Sequence, residues 1–368
     1  MSKWAAWLAK GLAVLLLQAR YPQAGLAGRW GKSGWTESVG RETGYDPSYV
    51  IYQKYCRARE KYGYLFSGEE GQADAVEISP EYSMAADRLR IPETVSDTGQ
   101  EATTRRTPDD LPTLAQLMDY DYLMKRYYSV HTSTTAGRDL MKAENFLGMD
   151  FTLEQDASIP QILIYHTHSQ ETYADYGPGF RQATVVSVGE YLAQLLRAKG
   201  WNVIHDTTAY DIAGGELDRS KAYTFALDGV TKILQENPGI EVILDIHRDG
   251  VAEGTRLLGT IDGKPTAKIM FFQGMSRTPD GLIEYLPNPY LAENLAFSFQ
   301  MQLAAEADFP GLTRKIYLKG LRYNMHLRPR SSLIEVGAQT NTLEEAKNAM
   351  EPLAELVDGV LKTTLQAE

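Results

Sequence analysis

Cysteine is almost missing: Cys56 is the only one in 368 residues. No disulfide can close within the chain, and no thiolate cluster can hold a structural zinc. A lone cysteine outside the motif-bearing region reads as a small buried apolar residue, not a nucleophile. An excess of positive charge is missing too, with 37 Lys and Arg against 48 Asp and Glu and a net charge of −11. That balance argues against nucleic acid as a partner, because phosphate binding needs clustered positive charge. Repeats at solenoid periods are absent. The apolar stretch from Trp4, with Lys10 inside it, falls a little short of the ~20 residues of a comfortable membrane span.

What is present begins with that stretch. Lys3 and Lys10 precede Gly11-Leu12-Ala13-Val14-Leu15-Leu16-Leu17, and the small residues of Leu26-Ala27-Gly28 follow. A positive start, a short apolar run and a cleavage-like site make residues 1–28 an expected signal peptide or membrane anchor, with the membrane as a partner. Residues 29–156 are rich in Gly, Tyr, Ser, Thr and charge and read as a tether, with one helix over Leu111 to Tyr128. After Pro160 short apolar runs alternate with amphipathic stretches. Strands are expected at 162–165, 201–204, 242–246, 268–272 and 333–336, and helices at 185–199, 218–236, 289–305 and 342–361. Gly200 stands where the first of these helices should stop. The expected fold of 157–368 is therefore α/β, a mostly parallel sheet flanked by helices on both faces.

In such a sheet the strand ends line one crevice, where residues distant in sequence meet. His168 and Glu171 follow the first strand, His247 closes the third, and Glu335 lies at the end of the last. Two histidines and a carboxylate form a hydrolytic Zn2+ site with a position open for water, and a further glutamate serves as its base. His168 and Glu171 are three apart and reach one ion if the loop begins a helical turn. Side chains alternate along an extended segment, so only one of His166 and His168 is expected to face the metal. The spacing to Glu171 selects His168 and leaves His166 to support from behind. Arg248 and Arg330 are candidates to bind a carboxylate or steady an oxyanion. Asp245 and Asp249 read as structural or supporting; His131, His205 and His326 have no supporting neighbours and read as ordinary.

The run Pro160-Gln161-Ile162-Leu163-Ile164-Tyr165-His166-Thr167-His168-Ser169-Gln170-Glu171 resembles the signature of the stage II sporulation protein P family. Asp245-Ile246-His247-Arg248-Asp249, Tyr317 to Asn324 and Leu333-Ile334-Glu335-Val336-Gly337 resemble its later blocks, in the same order. The resemblance implies a zinc-dependent N-acetylmuramoyl-L-alanine amidase, exported and membrane-tethered, that acts on peptidoglycan during engulfment with other stage II sporulation proteins. It implies His168, Glu171 and His247 as metal ligands and Glu335 as catalytic acid and base. Wider amidases put the ligand glutamate at the next helix start, where this chain has Arg181 and Gln182; Glu171, or else Glu190, must supply the carboxylate. A zinc carboxypeptidase shares the His-x-x-Glu spacing, and a wall-binding scaffold without activity is the third reading.

Overall fold

The structure, a computed structural model, describes residues 111–176 and 183–362. The strands of its main sheet are β1 (Tyr128–Val130), β2 (Ile162–Tyr165), β3 (Val203–His205), β4 (Val242–Asp249), β5 (Ile269–Gly274), β6 (Ile316–Lys319) and β7 (Arg330–Ala338). The helices are α1 (Leu114–Met118), α2 (Tyr120–Tyr127), α3 (Ala143–Leu147), α4 (Val185–Ala198), α5 (Ala222–Glu236), α6 (Leu291–Asp308) and α7 (Leu343–Lys362). Across the sheet the strands stand in the order β1–β6–β5–β7–β4–β2–β3. The block β7, β4, β2, β3 is parallel, the block β1, β6, β5 is parallel, and the two join antiparallel at β5–β7.

Five of the six neighbouring pairs are parallel, in line with the mostly parallel expectation, and the single antiparallel pair, β5–β7, makes the sheet mixed. Parallel neighbours need a helical crossover. Between β4 and β5 the chain instead passes through an antiparallel hairpin, 258–261 against 264–267, turned at Asp262 and Gly263 with φ of 48° and 78°. Two consecutive positive φ angles form the tight hairpin turn that Asp-Gly favours.

A correction concerns residues 111–156, expected as a tether with one helix. β1 pairs with β6 in the main sheet, and Leu117, Leu123, Tyr127 and Phe146 are buried in the common core. The helix expected over 111–128 divides into α1 and α2, because Asp119 ends one and caps the next by accepting from the Tyr122 N–H. The anchor expected at 1–28 lies outside the described residues. Among the described residues no helix is long and apolar enough to cross a membrane.

Alternation along the strands separates two layers. Ile162, Ile164, Leu244, Ile246, Ile334 and Val336 face the layer of α4, α6 and α7, while Leu163, Tyr165 and Ile243 face α5. α4 ends at Ala198, and Gly200 follows at φ 96°, the left-handed stop expected from sequence. The carboxyl ends of β2, β3, β4 and β7 lie along one edge, so the loops that follow them converge.

Candidate functional site

Register places the first pair. β7 runs beside β4 with Glu335 directly opposite His247. Because Leu244, Ile246, Ile334 and Val336 are committed to the α4–α6–α7 layer, Asp245, His247 and Glu335 must point to the other face. The register then slips between Glu335 and Ala338. Gly337 sits at that irregularity with φ 59°, where a Cβ would lie 2.8 Å from Asn341 Oδ1 and 2.9 Å from Ala267 Cβ.

The loop after β2 brings the second pair. The chain turns over 167–170, and the Glu171 N–H donates to the His168 carbonyl at 3.3 Å. Asp245 pins the start of the loop, accepting from the Thr167 N–H at 2.9 Å and its hydroxyl at 2.6 Å. Buried Asp211 pins the middle, accepting from the Ser169 hydroxyl at 2.7 Å and the Gln170 N–H at 3.1 Å. His168 is thereby set edge-to-face on His247, ring centroids 5.3 Å apart, with Tyr223 on its other side at 5.5 Å. Glu171 Oε2 lies 3.6 Å from His247 Nδ1 and accepts from the Arg248 N–H at 3.0 Å. His168, Glu171, His247 and Glu335 thus occupy one crevice at the strand ends.

His166 goes elsewhere, and for a different reason than alternation. Residues two apart on a strand share a face; only the turn after Tyr165 separates His166 from His168. His166 stays under α4, where its Nδ1 faces the Ile246 carbonyl at 2.9 Å and its Nε2 lies 2.9 Å from His205 Nε2. His205 Nδ1 in turn meets Glu190 Oε2 at 2.8 Å. Glu190, the alternative to Glu171, is therefore engaged with His205 on the far side of the sheet. His205 is correspondingly no ordinary surface histidine. Gly189 makes the arrangement possible, since a Cβ there would lie 2.5 Å from His166 Cε1.

Electrostatics divide the two histidines of the crevice. Burial, with the neighbouring charge of His247, pushes His168 down to about 3. For His247 burial also opposes the charged form, yet Asp245 behind it, with Glu171 and Glu335 nearby, raises it to about 9. Asp245 Oδ1 lies 2.8 Å from His247 Nε2, an ion-pair distance with the bond off-axis. Burial would raise the Asp245 carboxyl, but His247 and Thr167 outweigh it and the net direction is down. Glu335 is raised to about 8, by desolvation first and then by the charge of Asp249.

Among the described residues no three His, Cys, Asp or Glu groups already surround one point as metal ligands do. The crevice nevertheless fits a zinc ion in kind. His168 Nδ1 and Glu335 Oε2 are shut off from solvent with no hydrogen-bond partner among the described residues. His247 turns Nδ1 to Glu171 at a separation too long for a hydrogen bond, while Asp245 backs its other nitrogen, the usual support of a metal-bound imidazole. Arg248 lies beside the crevice, but its Nε donates to the Thr172 carbonyl and its Nη1 to the Asp249 carbonyl. Arg330 is misplaced for the role expected of it. It begins β7, at the opposite end from Glu335, and is drawn to Glu241 at 3.3 Å. His326 is fully buried, has no hydrogen-bond partner for either ring nitrogen among the described residues, and is held well below its ordinary range by desolvation. Arg181 and Gln182 lie outside the described residues.

Sequence reading missed Asp211, Arg219 and Tyr223, all in or just after the loop that follows β3. The signal was topological: β3 runs parallel to β2, so its loop leaves at the same edge.

The sequence pattern of the stage II sporulation protein P (SpoIIP) family matches residues 70–358. The chain belongs to that family. Membership in the SpoIIP family accords with a hydrolase of the cell wall, amidase-like in kind. No curated protein matches the chain. Among solved structures, the catalytic domain of CwlV, an N-acetylmuramoyl-L-alanine amidase from Bacillus (Paenibacillus) polymyxa var. colistinus, is similar at 14% identity and a TM-score of 0.33, covering 55% of this chain and 96% of that one. An N-acetylmuramoyl-L-alanine amidase of Nostoc punctiforme is similar at 11% identity and a TM-score of 0.33, covering 56% and 97%. The CwlD amidase from Clostridioides difficile, solved with the GerS lipoprotein, is similar at 14% identity and 0.33, covering 55% and 94%. The family assignment rests on the sequence pattern and not on these likenesses.

Proposed function

We propose that this chain hydrolyses the amide between the lactyl group of muramic acid and the L-Ala of the stem peptide in peptidoglycan, with zinc held by His168, Glu171 and His247. The observation that carries the reading is the convergence of those three side chains with Glu335, whose Oε2 and the His168 Nδ1 are closed off and unpartnered among the described residues. When bound, zinc supplies Lewis acidity, acidifying a water and polarising the amide carbonyl.

The rest falls to the chain. Asp245 holds the His247 ring from behind, and the Arg248 N–H holds the Glu171 carboxylate, so both ligands arrive oriented. Glu335, with a carboxyl lifted to about 8, is matched to moving a proton near neutrality. It takes a proton from the attacking water as the water oxygen bonds to the carbonyl carbon. It returns that proton to the nitrogen as the C–N bond breaks. The products are the lactyl carboxylate and the free amine of the stem peptide. Family membership and the export-like segment at 1–28 support an exported, membrane-tethered enzyme facing the wall at the sporulation septum, working with other stage II engulfment proteins.

Mass spectrometry of digested muropeptides tests the reaction. Release of the whole stem peptide is expected. Trimming of only the last residue would make the protein a carboxypeptidase, and unchanged muropeptides would make it a wall-binding scaffold. Glu335→Gln should abolish release while zinc stays bound, because the residue is a base and not a ligand.

A further inference from the structure

Amide hydrolysis puts negative charge on the carbonyl oxygen, and a positioned donor there is worth a large part of the rate. The arginines around the crevice differ in what they are free to do. Arg248 is tied to two backbone carbonyls, Arg314 is paired with Asp249, and Arg330 stands at the wrong end of β7. Arg219 is not so tied. Its Nη1 lies 3.8 Å from Glu171 Oε1, too far for a hydrogen bond. Its Nε is sealed from solvent and has no hydrogen-bond partner among the described residues. A buried guanidinium N–H without an acceptor is costly, and at a site it marks where an acceptor is meant to sit.

The loop that carries Arg219 is fixed to the same anchor as the ligand loop. The Asp218 N–H donates to the Asp211 carbonyl at 2.8 Å, and the Asp211 carboxylate holds Ser169 and Gln170. On the other side the Ala222 N–H donates to the Arg219 carbonyl at 3.3 Å, and Tyr223 then rests on the His168 ring. Asp211 thus fixes Arg219 and His168 relative to each other. The positive charge of Arg219 also helps keep His168 uncharged, which places the guanidinium's field on the ligand cluster itself.

We propose that Arg219 is a further catalytic residue, its guanidinium meeting the carbonyl oxygen of the scissile amide as that oxygen becomes negative. The inference rests on the amide-hydrolase reading above. As the water oxygen bonds to the carbonyl carbon, the C=O π pair moves onto oxygen, where the Arg219 N–H groups donate to it. When the C–N bond breaks, the pair returns to form the product carboxylate. Arg219 neither gains nor loses a proton.

The test uses the zinc-loaded full chain and a defined glycan fragment carrying the stem peptide. Arg219→Gln should lower kcat by about 10²–10³-fold with little change in KM, as for loss of one oxyanion donor. Zinc content should be unchanged, and Arg219→Lys should retain part of the rate. Millimolar guanidinium should partly restore Arg219→Ala, a rescue that a merely structural role would not show. In the Glu335→Gln background the fragment should bind equally well with and without Arg219, since the contact forms only in the transition state. A kcat preserved in Arg219→Gln overturns the inference. So does a rise confined to KM, which would assign Arg219 to a peptide carboxylate, and so does full recovery with excess zinc, which would make it a support for Glu171. Failure of the unsubstituted chain to free any peptide is a distinct result: it overturns the hydrolase reading and this inference with it.

Discussion

Loading the crevice with zinc at neutral pH should release one imidazole proton, and that proton belongs to His247. Against the pull of burial, Asp245 at 2.8 Å from Nε2 and Glu171 at 3.6 Å from Nδ1 keep the ring charged up to about 9. His168, pushed down to about 3 by burial and by His247, has none to give. A ligating imidazole must be neutral, so apparent affinity follows the neutral fraction of His247. For a group titrating near 9 that fraction climbs from ~1% at pH 7 to ~50% at pH 9, and zinc should bind roughly 50-fold tighter at the higher pH. Each unit of pH below 9 should weaken binding by ~1.4 kcal/mol. The measurement belongs in the Glu335→Gln variant, so that the carboxyl raised to about 8 adds no second proton. Competition with a chelator gives the affinities, and calorimetry in two buffers of different ionisation heat counts the proton. An affinity that does not change between pH 7 and 9 would refute the reasoning.

Asp245→Asn should weaken zinc binding by ~10–100-fold when measured at pH 9, where the proton of His247 competes least; unchanged affinity would remove Asp245 from its supporting role. Gly189→Ala drives a Cβ to 2.5 Å from His166 Cε1 and 2.6 Å from its Nε2, so chemical denaturation should show a loss of ~1–3 kcal/mol. Wild-type stability in that variant would mean His166 and His205 yield freely. Above the ordinary histidine range, where the depressed His166, His168 and His326 no longer contribute, the metal-free chain should lose stability as pH rises. Glu335 is raised in the folded state, so its unfolded form ionises first and favours unfolding from the ordinary carboxylate range up to about 8. His247 is raised as well, and its contribution is full below the ordinary histidine range and lost through about 9. Melting temperatures between the ordinary histidine range and about 9 should fall, and fall less steeply for Glu335→Gln.

The central strands were legible because they are buried on both faces. Ile162–Tyr165 and Val242–Ile246 are nearly continuous apolar runs, and polar residues standing at their ends invite a functional reading. The edge of the sheet was not legible. β1 is three residues long and β6 only four, each held by neighbours distant in sequence, so neither carries a local period. The reversal at β5 depends on the hairpin over 258–267, which a count of strands and helices does not register. In the crevice, His168, Glu171, His247 and Glu335 announced themselves by their place after strands. Arg219 did not, since it lies in a polar loop of 16 residues between β3 and α5 where nothing in the spacing separates it from Asp218 or Lys221. Arg248 and Arg330 drew attention through sequence neighbours, yet one is tied to carbonyls and the other lies a strand's length away.

Anomalous diffraction at the zinc edge from crystals of the metal-loaded full chain tests the account most directly. A single strong peak should stand in contact with His168, Glu171 and His247, with Glu335 close by but unbound. A peak between His166 and His205, or no peak in the crevice after loading, would contradict it.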